Sequence, residues 1–260
     1  MYKELTSSLA NAAKGKVGMY KNSKLVYAVT SGLAGMYIGF GVLSMGLSGS
    51  VFGGLDFPFS KIFSGIIFTM ALSLVMMAGG DLFTGNILVL SSGAYNEEIS
   101  TKEAITVCAF SYFGNFLGAL VLSGLFLGTG LGNESIGEAI VQLAIAKAHH
   151  TTMEIFFRGI LCNVLVCLGV LTCYKLKTEA AKLIMIFWCI LPFVALGFEH
   201  SVANMTVFTL GISLSDEVNM AMALHNIIPA TIGNILGGLL ISSAYFALNR
   251  GEVINNTQKG

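Results

Sequence analysis

Gly197-Phe198-Glu199-His200-Ser201-Val202-Ala203-Asn204 places a carboxylate and an imidazole between two strongly apolar runs, Ile184 to Leu196 and Met205 to Leu210. An ionisable group at the centre of a bilayer costs about 2.5 to 3.5 kcal/mol on insertion scales, so such groups face protein-lined cavities and mark transport paths. The stretch also reads as a break in a helix, and irregular backbone at that depth survives only where protein or a water-filled cavity satisfies it. The Glu-His pair is therefore the first functional candidate.

The surrounding chain has the composition of a membrane interior. Of its 260 residues, 55% are hydrophobic and 11% charged, against about 25% charged in soluble domains; mean hydropathy is +0.78. A formal net charge of zero offers no basic surplus for phosphates, which excludes nucleic acid as a partner. The five cysteines sit in apolar stretches without Cys-x-x-Cys spacing and read as small buried hydrophobes. His149, His150 and Glu154 have tolerable ligand spacing, but one short cluster in a loop is too little for a metal site, and none is assigned. Metalloprotease, nucleophile-elbow, phosphate-loop and dinucleotide motifs are absent. The chain is not expected to be an enzyme, and no cofactor is implied.

Residues 1 to 24 are polar and basic and lack a cleavable signal pattern, so the N-terminus is expected to be retained. Leu5, Leu9, Ala12, Ala13 and Val17 recur at helical spacing beside Lys3, Lys14 and Lys16, predicting an amphipathic helix over residues 1–25 that lies at the membrane surface. Six apolar segments follow that are long enough to span: about 26–48, 58–92, 103–130, 154–176, 178–212 and 222–248. The second breaks at Gly79 to Asn86 and the fifth at the stretch quoted above. Eleven Lys and Arg fall on the N-terminal side of this arrangement, while the other side has Lys61 and Lys147, with Arg158 inside the fourth span. Both termini, including the tail 250–260, are thus expected in the cytoplasm, with the six-span domain 26–249 in the cell membrane.

Gly79–Phe83 and Asn86–Leu90 align with Gly197–Ser201 and Asn204–Phe208 at an offset of 118. Asp81 falls on Glu199 and Asn86 on Asn204. Gly114-Asn115-Phe116-Leu117-Gly118 matches Gly233-Asn234-Ile235-Leu236-Gly237 at 119. An all-α membrane protein built of two inverted three-helix repeats follows, with helices 2 and 5 broken and meeting near mid-depth. Gly-x-x-x-Gly pairs at Gly35/Gly39, Gly114/Gly118, Gly124/Gly128 and Gly233/Gly237 read as helix packing, within or between protomers.

The positive ends of half-helices that begin at the breaks suit a negatively charged ligand. Thr84 offers a hydroxyl and His200 an imidazole N–H to a small anion or its conjugate acid, with His200 expected neutral when the pore is empty. Glu199 cannot point the same way as His200 in an extended segment. Its carboxylate, and that of Asp81 at the equivalent position, is expected to bind freed backbone N–H groups behind the pore. Asn163 is either a partner of the break or a bond to a neighbouring helix. Lys147 is either an attractor of anions into a vestibule or a solvated loop residue.

The two broken helices, Leu82-Phe83-Thr84-Gly85-Asn86, Phe157-Arg158-Gly159-Ile160-Leu161-Cys162-Asn163, Gly197 to Asn204 and Asn226 to Gly238, in that order over nearly the whole chain, resemble the formate/nitrite transporter family, and most of all its hydrosulfide channel branch. The resemblance implies an aquaporin-like protomer in a homopentamer, each protomer with its own pore. It implies that Thr84 and His200 line a central chamber with Asn163 and Lys147 near the path. It further implies hydrophobic constrictions at Leu82 on the cytoplasmic side and at Phe68, Leu72 and Phe193 on the outside, with residues 79–85 as a gate. The implied function is passive or proton-coupled passage of hydrosulfide, formate or nitrite, with His200 as donor or proton relay. The alternative, a channel for water or a small polyol, lacks its expected sign: Asn86 and Asn204 are followed by Ile and Met, so the Asn-Pro-Ala signature is missing.

Overall fold

The computed structural model describes residues 2–54 and 57–257, with side chains described as far as residue 252. Among the described residues all regular structure is helical: α1 Tyr2–Asn22, α2 Lys24–Phe52, α3 Pro58–Leu74 continued by a π-turn Val75–Gly79, α4 Phe83–Tyr95, α5 Thr101–Gly128, α6 Ser135–Ala148, α7 Thr152–Lys175, α8 Glu179–Ala195, α9 Ser201–Leu214 and α10 Met220–Thr257.

Five stretches are long and apolar enough to cross a membrane: α2, α3 with its π-turn, α5, α7 and α10 as far as Glu252. The fifth expected span is broken at the Glu-His segment, as the sequence indicates, into two shorter helices, α8 of 17 and α9 of 14 residues. The second span is divided in the same way between α3 and α4. Local chemistry explains each boundary. Capping boxes of Ser100 with Glu103 and Thr151 with Glu154 start α5 and α7, and the Ser23 side chain caps α2. At the first break the π-turn runs into Gly79 at φ +86 and at the second α8 runs into Gly197 at φ +69, left-handed conformations that a side chain would strain.

The loop expected between the third and fourth spans holds a helix, α6. Its apolar residues Ala139, Ile140 and Ala144 are buried against α2 and α9. Lys147 therefore lies in a final helical turn and is no solvated loop residue. α1 buries Leu5, Leu9, Ala13 and Val17 within the main apolar core. Apolar side chains such as Phe59, Phe113, Leu125, Trp188 and Leu240 are exposed over the outer faces, the arrangement a lipid solvent requires.

Small residues set the closest helix contacts. A Cβ on Gly118 would lie 1.9 Å from the Gly32 carbonyl oxygen, and one on Gly35 2.0 Å from that of Asn115, so α2 and α5 touch backbone to backbone. Gly233 and Gly237 do the same for α10 against α7. Gly124 and Gly128 have nothing within 4 Å, so this pair does no packing inside the protomer.

Candidate functional site

The two breaks bring the N-termini of α4 and α9 together, and the first side chains of each meet. Thr84 Oγ1 and His200 Nε2 are 3.1 Å apart, both residues buried. His200 is also the N-cap of α9: its Nδ1 accepts from the Ala203 N–H at 3.1 Å. That bond needs a lone pair on Nδ1, so the ring is the neutral tautomer with its proton on Nε2, which donates to the threonine hydroxyl. The amide N–H groups of Thr84, Gly85 and Val202 find no acceptor among the described residues. Positive helix ends and spare donors thus converge on one point.

Behind this meeting point the same hydrogen-bond scheme occurs twice. Asn115 accepts the Phe83 N–H at 2.9 Å and donates to the carbonyls of Ser31 and Asp81 at 2.8 and 2.9 Å. Asn234 accepts the Ser201 N–H at 2.9 Å and donates to the carbonyls of Gly159 and Glu199, both at 2.8 Å. Each asparagine satisfies two backbone groups that the break would otherwise orphan, one N–H and one carbonyl, and anchors them to a carbonyl of the neighbouring helix, α2 or α7.

The carboxylates are organised in parallel. Asp81 takes Lys16 Nζ at 3.0 Å, the Tyr27 hydroxyl at 2.5 Å and Asn86 Nδ2 at 2.5 Å. Glu199 takes Lys147 Nζ at 2.9 Å, Asn204 Nδ2 at 2.6 Å and Asn226 Nδ2 at 3.3 Å. This corrects the expectation that both would bind freed backbone N–H groups: the asparagines on α5 and α10 and the ring of His200 take those groups, and the carboxylates go to lysines and amides. The lysine side chains are only 18% and 12% exposed, and each neutralises a charge that could not stay buried alone.

The remaining candidates fall into place around this centre. Asn163 Nδ2 donates to the Thr84 carbonyl at 3.2 Å and to the Asn234 carbonyl at 2.6 Å, so it serves both the break and the neighbouring helix. The Phe68 and Phe193 rings meet edge to face at 5.7 Å, and Phe193 stacks on the His200 ring at 6.0 Å. Leu72 is buried one turn beyond Phe68, and Leu82 is buried at the start of α4. A cavity of about 670 Å³ opens where α2 ends and α3 and α7 begin, and it reaches Phe68, Phe193 and His200. Lys147 borders this cavity, whereas Thr84, Asn163, Leu72 and Leu82 do not. The hydroxyl of Ser64 and Oε1 of Glu199, both at its edge, have no hydrogen-bond partner among the described residues.

His149, His150 and Glu154 are engaged separately. His149 Nδ1 donates to the Ile145 carbonyl, His150 Nε2 accepts from Arg158, and Glu154 closes the capping box of α7. Among the described residues no group of three such side chains could hold a metal.

Lys16, Tyr27, Asn115, Asn226 and Asn234 belong to the site and were not singled out from the sequence. A signal existed for two of them: Asn115 and Asn234 are the second residues of the repeated Gly-Asn-x-Leu-Gly stretch. Lys16 was visible only as one polar residue of an amphipathic helix.

The sequence profile of the family described as "Formate/nitrite transporter" matches residues 3–248. The chain belongs to this family. Among relatives in the formate/nitrite transporter family, "Nitrite transporter NirC" of Escherichia coli (strain K12) is 36% identical over 233 residues, covering 88% of this chain and 85% of that protein. The solved structure "FNT family ion channel" superposes with a TM-score of 0.87 at 32% identity, over 94% of this chain and 98% of the other. "Pentameric formate channel with formate bound" gives 0.81 at 27%, over 88% and 98%. Chain and neighbours share the all-helical membrane architecture along almost their full lengths.

Proposed function

We propose that the protein conducts small monovalent anions, formate, nitrite and hydrosulfide, through a pore in each protomer, as a homopentamer with both termini in the cytoplasm of a cell membrane. The observation that carries this reading is the buried Thr84–His200 contact at the junction of two helix N-termini, whose histidine lies with Phe68 and Phe193 at the inner end of a cavity bordered by cations. A relative named as a nitrite transporter and a neighbour titled as a pentameric formate channel support it.

A bare charge entering an apolar slit meets a prohibitive desolvation cost, whereas a weak acid can take up a proton as the dielectric falls and cross as the neutral species. A neutral Nε2–H imidazole and a threonine hydroxyl suit both forms: each can donate to the anion, and the threonine can also accept from the acid. Because Lys16–Asp81 and Lys147–Glu199 are paired, the walls carry no net charge from these groups and neither trap nor repel the ion strongly.

The test is initial uptake of the three anions into proteoliposomes clamped at zero voltage, with external pH varied, sulfate as divalent control and protein-free vesicles as background. Protein-dependent flux of the monovalent species with sulfate excluded, rising in acid, is expected. Flux of water or polyol without anion flux would favour the neutral-solute alternative.

A further inference from the structure

Arg158, half-buried in the second turn of α7, borders the same cavity as His200 but takes no part in the Thr84–His200 contact. Its NH1 serves two acceptors, His150 Nε2 at 2.6 Å and the Gly197 carbonyl at 3.4 Å. Nε and NH2 have no acceptor among the described residues, which leaves three of a guanidinium's five N–H donors for a ligand. No carboxylate pairs with this cation among the described residues.

The groups around His150 explain why. Lys147 is committed to Glu199, and Glu154 to the backbone and hydroxyl of Thr151. His225 donates Nε2–H to the His150 carbonyl at 3.0 Å and pins the loop in place. The imidazole of His150 can accept from Arg158 only while Nε2 is unprotonated. Acid removes that acceptor, frees NH1, and sets a second positive charge beside the guanidinium.

We propose that Arg158 is an anion-binding station at the cavity mouth, selective for planar monoanions with two equivalent oxygens, and that protonation of His150 strengthens it. The inference rests on the anion-transport reading and adds to it a residue that discriminates among the anions already named. Formate and nitrite present two oxygens to a guanidinium fork, a pairing a lysine ammonium cannot copy, while hydrosulfide presents one sulfur and gains nothing from the fork. Burial and the adjacent guanidinium hold His150 below the usual histidine pKa, so the strengthening falls on the acid side of about pH 6.5.

The experiment compares wild type, Arg158→Lys and His150→Gln for initial uptake of formate, nitrite and hydrosulfide across pH. Arg158→Lys is expected to raise the half-saturating concentration of formate and nitrite roughly tenfold, the loss of one charge-assisted hydrogen bond, and that of hydrosulfide less than twofold, with maximal rates kept. His150→Gln is expected to abolish the acid-side fall in half-saturation, whereas a pH slope retained in this variant belongs to the permeant acid and overturns the switch. Phenylglyoxal labelling read by peptide mass spectrometry provides a measure independent of flux, since the chain has only two arginines. Nitrite should slow modification of Arg158 and leave Arg250 unaffected. Equal shifts for all three anions, or no protection of Arg158, overturn the station. Absence of wild-type flux for every anion would sink the transport reading instead, and labelling would then judge Arg158 alone.

Discussion

The two ring nitrogens of His200 do different work, and substitutions can separate them. Nδ1 caps α9 and Nε2 faces Thr84. His200→Phe should lose anion flux together with the cap, lowering stability by about 1 kcal/mol. His200→Asn should keep the cap and its stability yet still lose flux; thermal unfolding in detergent beside uptake assays would show it. Normal flux in either variant would remove His200 from the pathway. The Lys147–Glu199 pair poses a different problem, since its value is set by what remains when one partner is lost. Lys147→Met strands a carboxylate that is 1% exposed, at a cost of about 3 to 5 kcal/mol, whereas Lys147→Met with Glu199→Gln should recover most of it. A double variant as unstable as the sum of the singles would show that the two do not interact. His150 gives stability a pH slope. Its depressed pKa means the unfolded chain binds the proton more tightly, so stability should fall as pH drops below about 6.5 and level off once the folded imidazole is also protonated. His150→Gln should flatten that limb of a melting-temperature profile against pH.

At the scale of helices, the contrast between Gly118 and Gly124 shows what spacing tells and what it leaves open. Both belong to Gly-x-x-x-Gly pairs, yet a Cβ meets backbone 1.9 Å away at Gly118 and empty space at Gly124. Gly118→Ala should prevent a stable fold, while Gly124→Ala should leave protomer melting unchanged, and size-exclusion chromatography in detergent will report any effect on assembly. The breaks were legible because Asp81, Asn86, Glu199 and Asn204 recur at a fixed offset inside apolar runs, a pattern that neither packing nor composition alone demands. Their charge partners were not legible. Lys16 and Lys147 lie 65 and 52 residues from the carboxylates they neutralise, and only the docking of α1 and α6 brings them there. α6 itself was hidden because its short amphipathic pattern, Ser135 to Ala148, falls below the length of a span and reads as loop between two strong membrane signals. Asn115 and Asn234 were legible as members of a repeat but not in their role: their side chains bind backbone, and backbone partners leave no trace in sequence. Asn234→Ala should orphan the Ser201 N–H and the Glu199 carbonyl, at about 1 to 3 kcal/mol for each group left unpaired.

Across the whole molecule, α1 meets the far part of α10. Glu252 on α10 accepts from the N–H groups of Tyr2 and Lys3 at 2.9 and 3.3 Å, capping α1 from 250 residues away, and the rings of Tyr2 and Tyr245 pack edge to face beside it. α1 is further tied by Lys14–Glu98 and Lys21–Glu103, exposed pairs worth little individually. Glu252→Gln should therefore raise hydrogen exchange several-fold in the first turns of α1 and leave the Lys16 end protected. Uniform exchange along α1 in that variant would mean the helix is held elsewhere. One further consequence lies in how the buried charges are shared out. Lys16, Tyr27, Asp81 and Asn86 come from one half of the sequence, and Lys147, Glu199, Asn204 and Asn226 from the other. What crosses between the halves at the breaks is neutral: a hydroxyl, an imidazole and an amide. An ancestral gene encoding a single half could thus have inserted into the bilayer either way up without stranding an ion, and two copies in opposite orientations would have furnished both ends of a conduit. Tandem fusion would then have needed to supply only a tether, after which each copy was free to specialise for the face of the membrane it met.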